Sequence, residues 1–131
     1  MKKVLIIEDE ENLQKLYQLK IEMADFEVEC ANNGIEGYNK SINFKPDLIL
    51  LDLMMPKQNG FDTLEQLKKN NKTKNIPVII LSNLGHENDI EMVMELGAKE
   101  HLVKSQIELD ELVNKVKLYT SNYQTNLHTF S

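Results

Sequence analysis

Short apolar runs punctuate the chain at Val4–Ile7, Leu48–Leu51, Val78–Leu81 and, less fully, Leu102–Val103. Continuous Val, Ile and Leu over such lengths suit strands buried on both faces, as in parallel sheets. A fifth segment, Phe26–Ala31, alternates Phe26, Val28 and Cys30 with Glu27 and Glu29. That pattern predicts a strand with one wetter face, at a sheet edge. Between the runs the apolar spacing becomes helical. Leu13, Leu16, Tyr17, Ile21 and Ala24 share one face, and Ile35, Tyr38 and Ile42 form a shorter stripe. Phe61, Leu64 and Leu67 make a third helix. Ile90, Val93 and Leu96 make a fourth, closed by Gly97, and Leu109, Leu112, Val113 and Val116 make a fifth. Gly37 weakens the second helix by about 1 kcal/mol relative to Ala. Strand and helix alternate five times, which predicts an α/β fold: a parallel sheet with right-handed crossovers and helices on both faces.

Each run ends on polar residues. Glu8 and Asp9 follow the first, Asp52 the second, Ser82 the third and Lys104 the fourth. Parallel strands point the same way, so these residues gather at one rim, where open α/β sheets bind ligands. Crowded carboxylates repel: two unit charges roughly 4 Å apart cost about 4 kcal/mol at an effective dielectric of 20. Without relief, one or more takes up a proton. Lys104 offsets part of the charge, and a hard divalent cation held by oxygen ligands, such as Mg²⁺, offsets more. A carboxylate beside Mg²⁺, a hydroxyl and a lysine suits phosphoryl transfer through an acyl phosphate.

Composition narrows the alternatives. The chain has 131 residues, 41% hydrophobic and 27% charged, which fits one globular domain. A formal net charge of −6 argues against a protein whose main work is neutralising nucleic-acid phosphates. No apolar run approaches a bilayer span, and MKKVLIIEDE lacks the form of a signal peptide. A single cysteine, Cys30, points to a reducing, cytoplasmic setting and reads as a small core residue. We place the domain over residues 1–120 and read 121–131 as a C-terminal tail or the start of a linker.

Four segments together resemble the receiver domain of two-component response regulators: VLIIEDEENL, DLILLDLMMPKQNGFD, PVIILSNLG and LGAKEHLVKS. The resemblance covers about residues 3–118 and implies a flavodoxin-like five-stranded sheet in the order 2-1-3-4-5. It implies that Asp52 is the phosphoacceptor. Asp9, Asp52 and the Met54 carbonyl would bind Mg²⁺ (Mn²⁺ as an alternative), with Glu8 bound directly or through water. Ser82 and Lys104 would hold the phosphoryl oxygens. The donor would be a sensor histidine kinase or histidine phosphotransfer protein. Phosphorylation would draw Ser82 inward, let His101 rotate and remodel the face made by the fourth helix, fifth strand and fifth helix. That face would bind a downstream effector or a covalently linked output domain, or form a dimer. No direct nucleic-acid or membrane contact is implied for this domain.

Several positions depart from the family's pattern. Glu8 stands where Asp is commoner. His101 replaces Tyr or Phe and reads as a half-buried aromatic substitute, the alternative being that its titration near pH 6.5 biases the switch. Ser105 replaces a proline often preceded by a cis peptide, so a trans Lys104–Ser105 bond is expected. Met54 and Leu84 are apolar at positions that flank the attacking water, which implies slow self-dephosphorylation.

Blander readings exist for single residues. Asp9 and Asp52 could be caps, Asn59-Gly60 reads as a turn, and KKNNKTKN over 68–75 reads as a solvated loop at a helix C-terminus. Of Met92 and Met94, one is expected in the core and the other on the signalling face. The phosphoacceptor switch, not itself an enzyme, competes with three other functions. An aspartyl-phosphate phosphatase would want a second Asp where Met54 stands. A flavodoxin-like cofactor binder would want a phosphate-cradling loop where EDEEN stands. A phospho-independent receiver-like interaction module is the last. The chain either works alone or is the N-terminal piece of a longer regulator.

Overall fold

The computed structural model describes residues 1–54, 59–83 and 87–121, without the side chains of Glu87 and Asn88. Leu84, Pro56 and the tail beyond residue 121 lie outside the described residues. Strands and helices alternate: β1 (Lys3–Ile7), α1 (Glu11–Glu22), β2 (Glu27–Ala31), α2 (Gly34–Phe44), β3 (Leu48–Asp52), α3 (Gly60–Lys69), β4 (Val78–Ser82), α4 (Glu87–Glu95), β5 (Glu100–Val103) and α5 (Leu109–Thr120). All strand pairings are parallel, in the order β2-β1-β3-β4-β5. The apolar runs occupy the centre as expected, and every residue of β3 and β4 is buried.

The pleat divides the core into two layers. Leu5, Ile7, Ile49, Leu51, Val78 and Ile80 face one side, with Phe44 of α2, Leu64 and Leu67 of α3 and Val93 of α4. Val4, Ile6, Leu48, Leu50, Ile79 and Leu81 face the other, with Tyr17 and Ile21 of α1 and Leu112 and Val116 of α5. Successive strand residues point to opposite faces, so one run of aliphatics serves both layers. Each fully buried large aliphatic contributes about 1.5–3 kcal/mol.

The edge strand β2 behaves as its alternation predicts, with Val28 buried and Glu27 exposed. Lys40 caps the Cys30 carbonyl there at 2.5 Å, which blunts the open edge. Cys30 itself is half-buried rather than core, and burial pushes its thiol up to about 11.

Two predicted helix faces are corrected. On α1, Leu16 is exposed, whereas polar Gln14 is buried with Tyr17 and Ile21. On α2, Ile35 is exposed, and the inward face is Gly34, Gly37, Ser41 and Phe44. The inward residues are small because α2 lies close to β1: a Cβ added at Gly37 would collide with the Ile7 side chain. Met92 and Met94 are both exposed, leaving Val93 as the core residue of that turn. Gly97 ends α4 with φ of 108°, as the sequence predicts. Asn59 does more than form a turn, because its side chain accepts from the Asp62 amide at 3.0 Å and caps α3. In the loop after α3, Thr73 is fully buried and Lys68 donates to the Lys74 and Ile76 carbonyls, so the 68–75 segment is only partly solvated.

Helix propensity alone would make Gly37→Ala stabilising by about 1 kcal/mol. Overpacking against Ile7 costs more, typically 1–3 kcal/mol. We therefore expect a lower urea midpoint for this variant, and a raised midpoint would refute the close approach of α2 to β1.

Candidate functional site

The sheet register carries the rim residues to one level. Ile7 pairs with Leu51, and Asp52 pairs with Leu81, so Glu8 and Asp52 emerge side by side at the ends of β1 and β3. Asp52 has the same strand parity as Leu48 and Leu50 and points to the layer of α1 and α5. Gly60 allows this end of β3 to lie tight against α3: a Cβ there would fall 2.6 Å from the Asp52 carbonyl oxygen and from Leu53 Cα. The Gly60 amide donates to the Leu53 carbonyl at 2.8 Å.

A cleft of about 440 Å³ opens here, lined by Glu8, Asp9, Glu10, Asp52, Met54, Asn83 and Lys104. Carboxylate oxygens of Glu8, Asp9 and Asp52 lie within 4.8 Å of one another. Glu8 and Asp52 are buried, at 2% and 4% exposure, while Asp9 is exposed. The Lys104 ammonium sits 2.6 Å from Glu8 Oε1 and 3.1 Å from Asp52 Oδ2. Its approach to Glu8 is a charge contact, and among the described residues Oε1 receives no directed hydrogen bond. Glu8 Oε2 accepts from the Glu10 amide at 3.1 Å, and Asp52 Oδ1 accepts from the Met54 amide at 3.2 Å. The Asp52 contact is part of the bland reading: the carboxylate does brace a local turn. Asp9 does not cap α1, whose N-cap is Glu10, without a side-chain cap bond.

Electrostatics follow from this crowding. Burial, opposed by Lys104 and reinforced by the nearby Asp52 charge, pushes Glu8 up to about 7. Burial likewise raises Asp52, against the pull of Lys104. Protonated Glu8 can donate to Asp52, so the two titrate as a pair. Burial acts to lower Lys104, yet its pairing with Glu8 and Asp52 outweighs that and holds it above the ordinary lysine value. Fully ionised, three carboxylates face one ammonium. The undirected Glu8 Oε1 and this all-oxygen donor set fit a hard divalent cation.

Ser82 stands apart from the other four predicted rim residues. It is fully buried and does not line the acidic cleft. Its parity is that of Val78 and Ile80, so the pleat turns it to the layer of α4. There its Oγ lies 2.8 Å from His101 Nε2. His101 is partly buried. Burial lowers its pKa, and Asp89 opposes the shift. The Lys104–Ser105 peptide is trans, as expected, and the Ser105 amide donates to Asn83 Oδ1 at 3.1 Å.

Three contributors escaped the reading of the sequence. Gln14 donates from Nε2 to the Glu8 carbonyl at 2.9 Å and to the Ala31 carbonyl at 3.1 Å, tying the ends of β1 and β2 to α1. A polar residue beside the apolar stripe of the first helix was its only signal. Glu10 and Asn83 line the cleft directly after residues that were singled out. A larger cleft of about 750 Å³ beside α2 is lined by Glu29, Glu36 and Lys40 among others, and its Lys40 is paired with Glu36.

Comparisons with known proteins agree with this geometry. The model of the response regulator receiver domain matches residues 4–117. The chain is 35% identical over 117 residues to the DNA-binding dual master transcriptional regulator RpaA of Synechocystis, covering 89% of this chain and 48% of that protein. It is 40% identical over 104 residues to the CpxR homolog of Haemophilus influenzae, covering 79% and 44%. The chain thus spans about half the length of the curated relatives it matches. Among solved structures, the receiver domain of a Francisella response regulator superposes with a TM-score of 0.84 at 29% identity, covering 92% of this chain and 97% of that one. A CheY-like receiver domain protein from Methanospirillum hungatei shares the fold, with a TM-score of 0.88 at 22% identity and coverage of 96% and 98%. Among the described residues no helix is long and apolar enough to cross a membrane.

The raised Glu8 pKa yields a signed expectation. Its contribution to the metal-free protein is fully present below about pH 4.5 and is lost as pH rises through about 7. Glu8→Gln, which cannot ionise, should therefore match wild type near pH 4.5 and exceed it in thermal stability at pH 8 without divalent cations. A variant less stable than wild type at pH 8 would show that the ion pair with Lys104 outweighs burial.

Proposed function

Because the chain belongs to the response regulator receiver domain family, we propose that it is a phosphoacceptor switch in a two-component phosphorelay and that Asp52 carries the phosphoryl group. The observation that supports this most is Lys104, whose ammonium bridges Glu8 and Asp52 beside a third carboxylate. The donor would be a phosphohistidine on a sensor kinase or histidine phosphotransfer protein. An Asp52 carboxylate oxygen attacks phosphorus, the phosphorus–nitrogen bond breaks and the imidazole leaves, so Asp52 becomes an acyl phosphate. Lys104 follows the negative charge from the carboxylates to the phosphoryl oxygens. Glu8, Asp9, Asp52 and the Met54 carbonyl would hold Mg²⁺ or Mn²⁺, which neutralises phosphoryl charge when bound. Ser82 would donate a hydrogen bond to the phosphoryl group.

The domain itself is read as a signalling module over residues 1–120, working in the cytoplasm, and not as an enzyme. Met54, where an aspartyl-phosphate phosphatase would want a second acid, has no group able to shuttle a proton. The relatives named above are transcriptional regulators of about twice this length. By analogy, the phosphorylated α4–β5–α5 face would act on a linked output domain or a separate effector, or pair two copies, and DNA contact would belong to the output domain. The exposed Met92 and Met94 on α4 suit such adaptable contacts.

Incubation with acetyl phosphate and Mg²⁺, followed by intact-mass measurement, tests the reading. Wild type should gain the mass of one phosphoryl group and Asp52→Asn none. Equal loading of both proteins, or of neither, would refute Asp52 as the acceptor.

A further inference from the structure

A hydroxyl has one proton to donate. Ser82 is fully buried, and among the described residues its Oγ has one polar neighbour, His101 Nε2 at 2.8 Å. Leaving a buried hydroxyl proton without an acceptor is costly, and the arrangement that gives this proton an acceptor among the described residues has Ser82 donating and His101 Nε2 accepting. This requires a neutral ring with its proton on Nδ1. In this arrangement the Ser82 proton is engaged on the α4 side of the sheet and is not offered to the acidic cleft. Protonating His101 puts hydrogen on both ring nitrogens. The bond must then reverse, with Nε2–H donating to Oγ, and the Ser82 proton is released.

We propose that His101 is a positioning residue for Ser82, holding its hydroxyl proton away from the phosphoacceptor cleft while neutral and turning it toward the cleft when protonated. A phosphoryl group offers only acceptors, so it and neutral His101 compete for one proton. Protonated His101 instead completes a chain of donors, from Nε2–H to the Ser82 oxygen and from Ser82 to the phosphoryl group. Tyr or Phe at this position has no ring nitrogen with which to reverse the bond. This regulation rests on the phosphoacceptor reading above.

The surroundings leave His101 responsive. Burial favours its neutral form and Asp89 on α4 favours the charged one. On the other face of β5, Glu100 is tied to Lys115 and Tyr119 of α5. Lys104 is held by Glu8 and Asp52, and β4 presents Ser82. By linkage, if protonated His101 favours the phosphorylated state, phosphorylation must raise the affinity of His101 for its proton by the same factor.

Ring-nitrogen NMR of His101 tests this in wild type and Ser82→Ala, before and after loading with acetyl phosphate and Mg²⁺, with loading checked by intact mass. At pH 8 the unphosphorylated wild type should hold the Nδ1–H tautomer, and Ser82→Ala should lose that preference. An Nε2–H tautomer in wild type overturns the proposal outright. After phosphorylation, His101 should bind its proton about fivefold more tightly or better, and the gain should shrink in Ser82→Ala. An equal gain in both would assign it to the phosphoryl charge alone and overturn the proposal. Failure to load phosphate would sink the phosphoacceptor reading instead, while the tautomer still decides the role of His101. His101→Gln, which can donate and accept but not titrate, should retain phosphorylation and lose the dependence of acyl-phosphate lifetime on pH between 5 and 8 that wild type shows relative to it. Identical profiles for the two proteins would also overturn the proposal.

Discussion

One ammonium group holds together the end of the sheet where function concentrates. Lys104 Nζ lies within 3.1 Å of two buried carboxylates, Glu8 and Asp52, which come from different strands. Removing charges from water is costly, and breaking such a pair strands an uncompensated charge. The parallel sheet brings about the crowding, because β1, β3 and β5 all deliver the residues at or just past their ends to the same rim. Lys104 relieves the repulsion only in part. The remaining strain appears as a Glu8 carboxyl displaced to about 7 and an oxygen with no directed donor among the described residues. A site left under-neutralised in this way favours whatever brings positive charge.

The pleat supplies the second constraint. Residues at the rim share a level but alternate between two layers. Glu8, Asp52 and Lys104 meet on one side, while Ser82 is turned to the other and meets His101. Separation by a single strand position thus keeps the hydroxyl on the strand next to Asp52 yet outside the acidic cleft. The Ser82–His101 contact links the rim to β5 on the side of α4, whose exposed methionines lie on the surface where partners are proposed to dock.

Much of this was legible in the sequence, for physical reasons. Doubly buried parallel strands need unbroken aliphatic runs, and Val4–Ile7, Leu48–Leu51 and Val78–Leu81 supplied them. The polar residues after each run located the rim. What stayed hidden depended on distances between elements. The small inward face of α2 reflects its close approach to Ile7, which no helical stripe of large residues could reveal. Gln14 is buried because two strand-end carbonyls need a donor, a demand visible only once β1 and β2 are paired. The order of polar residues placed Ser82 at the rim with the acids, yet the pleat that turns it aside follows from counting parity along β4 and could have been read beforehand.

The central claim is that Glu8, Asp9 and Asp52, balanced by Lys104, form a site for a divalent cation. Calorimetric titration of Mg²⁺ into wild type and Asp9→Asn at constant ionic strength tests it most directly, since Asp9 is the exposed member of the cluster and can be neutralised without disturbing the core. The account predicts saturable binding at one site in wild type and markedly weaker binding in Asp9→Asn. Absence of binding in wild type, or equal affinity in both proteins, would contradict it.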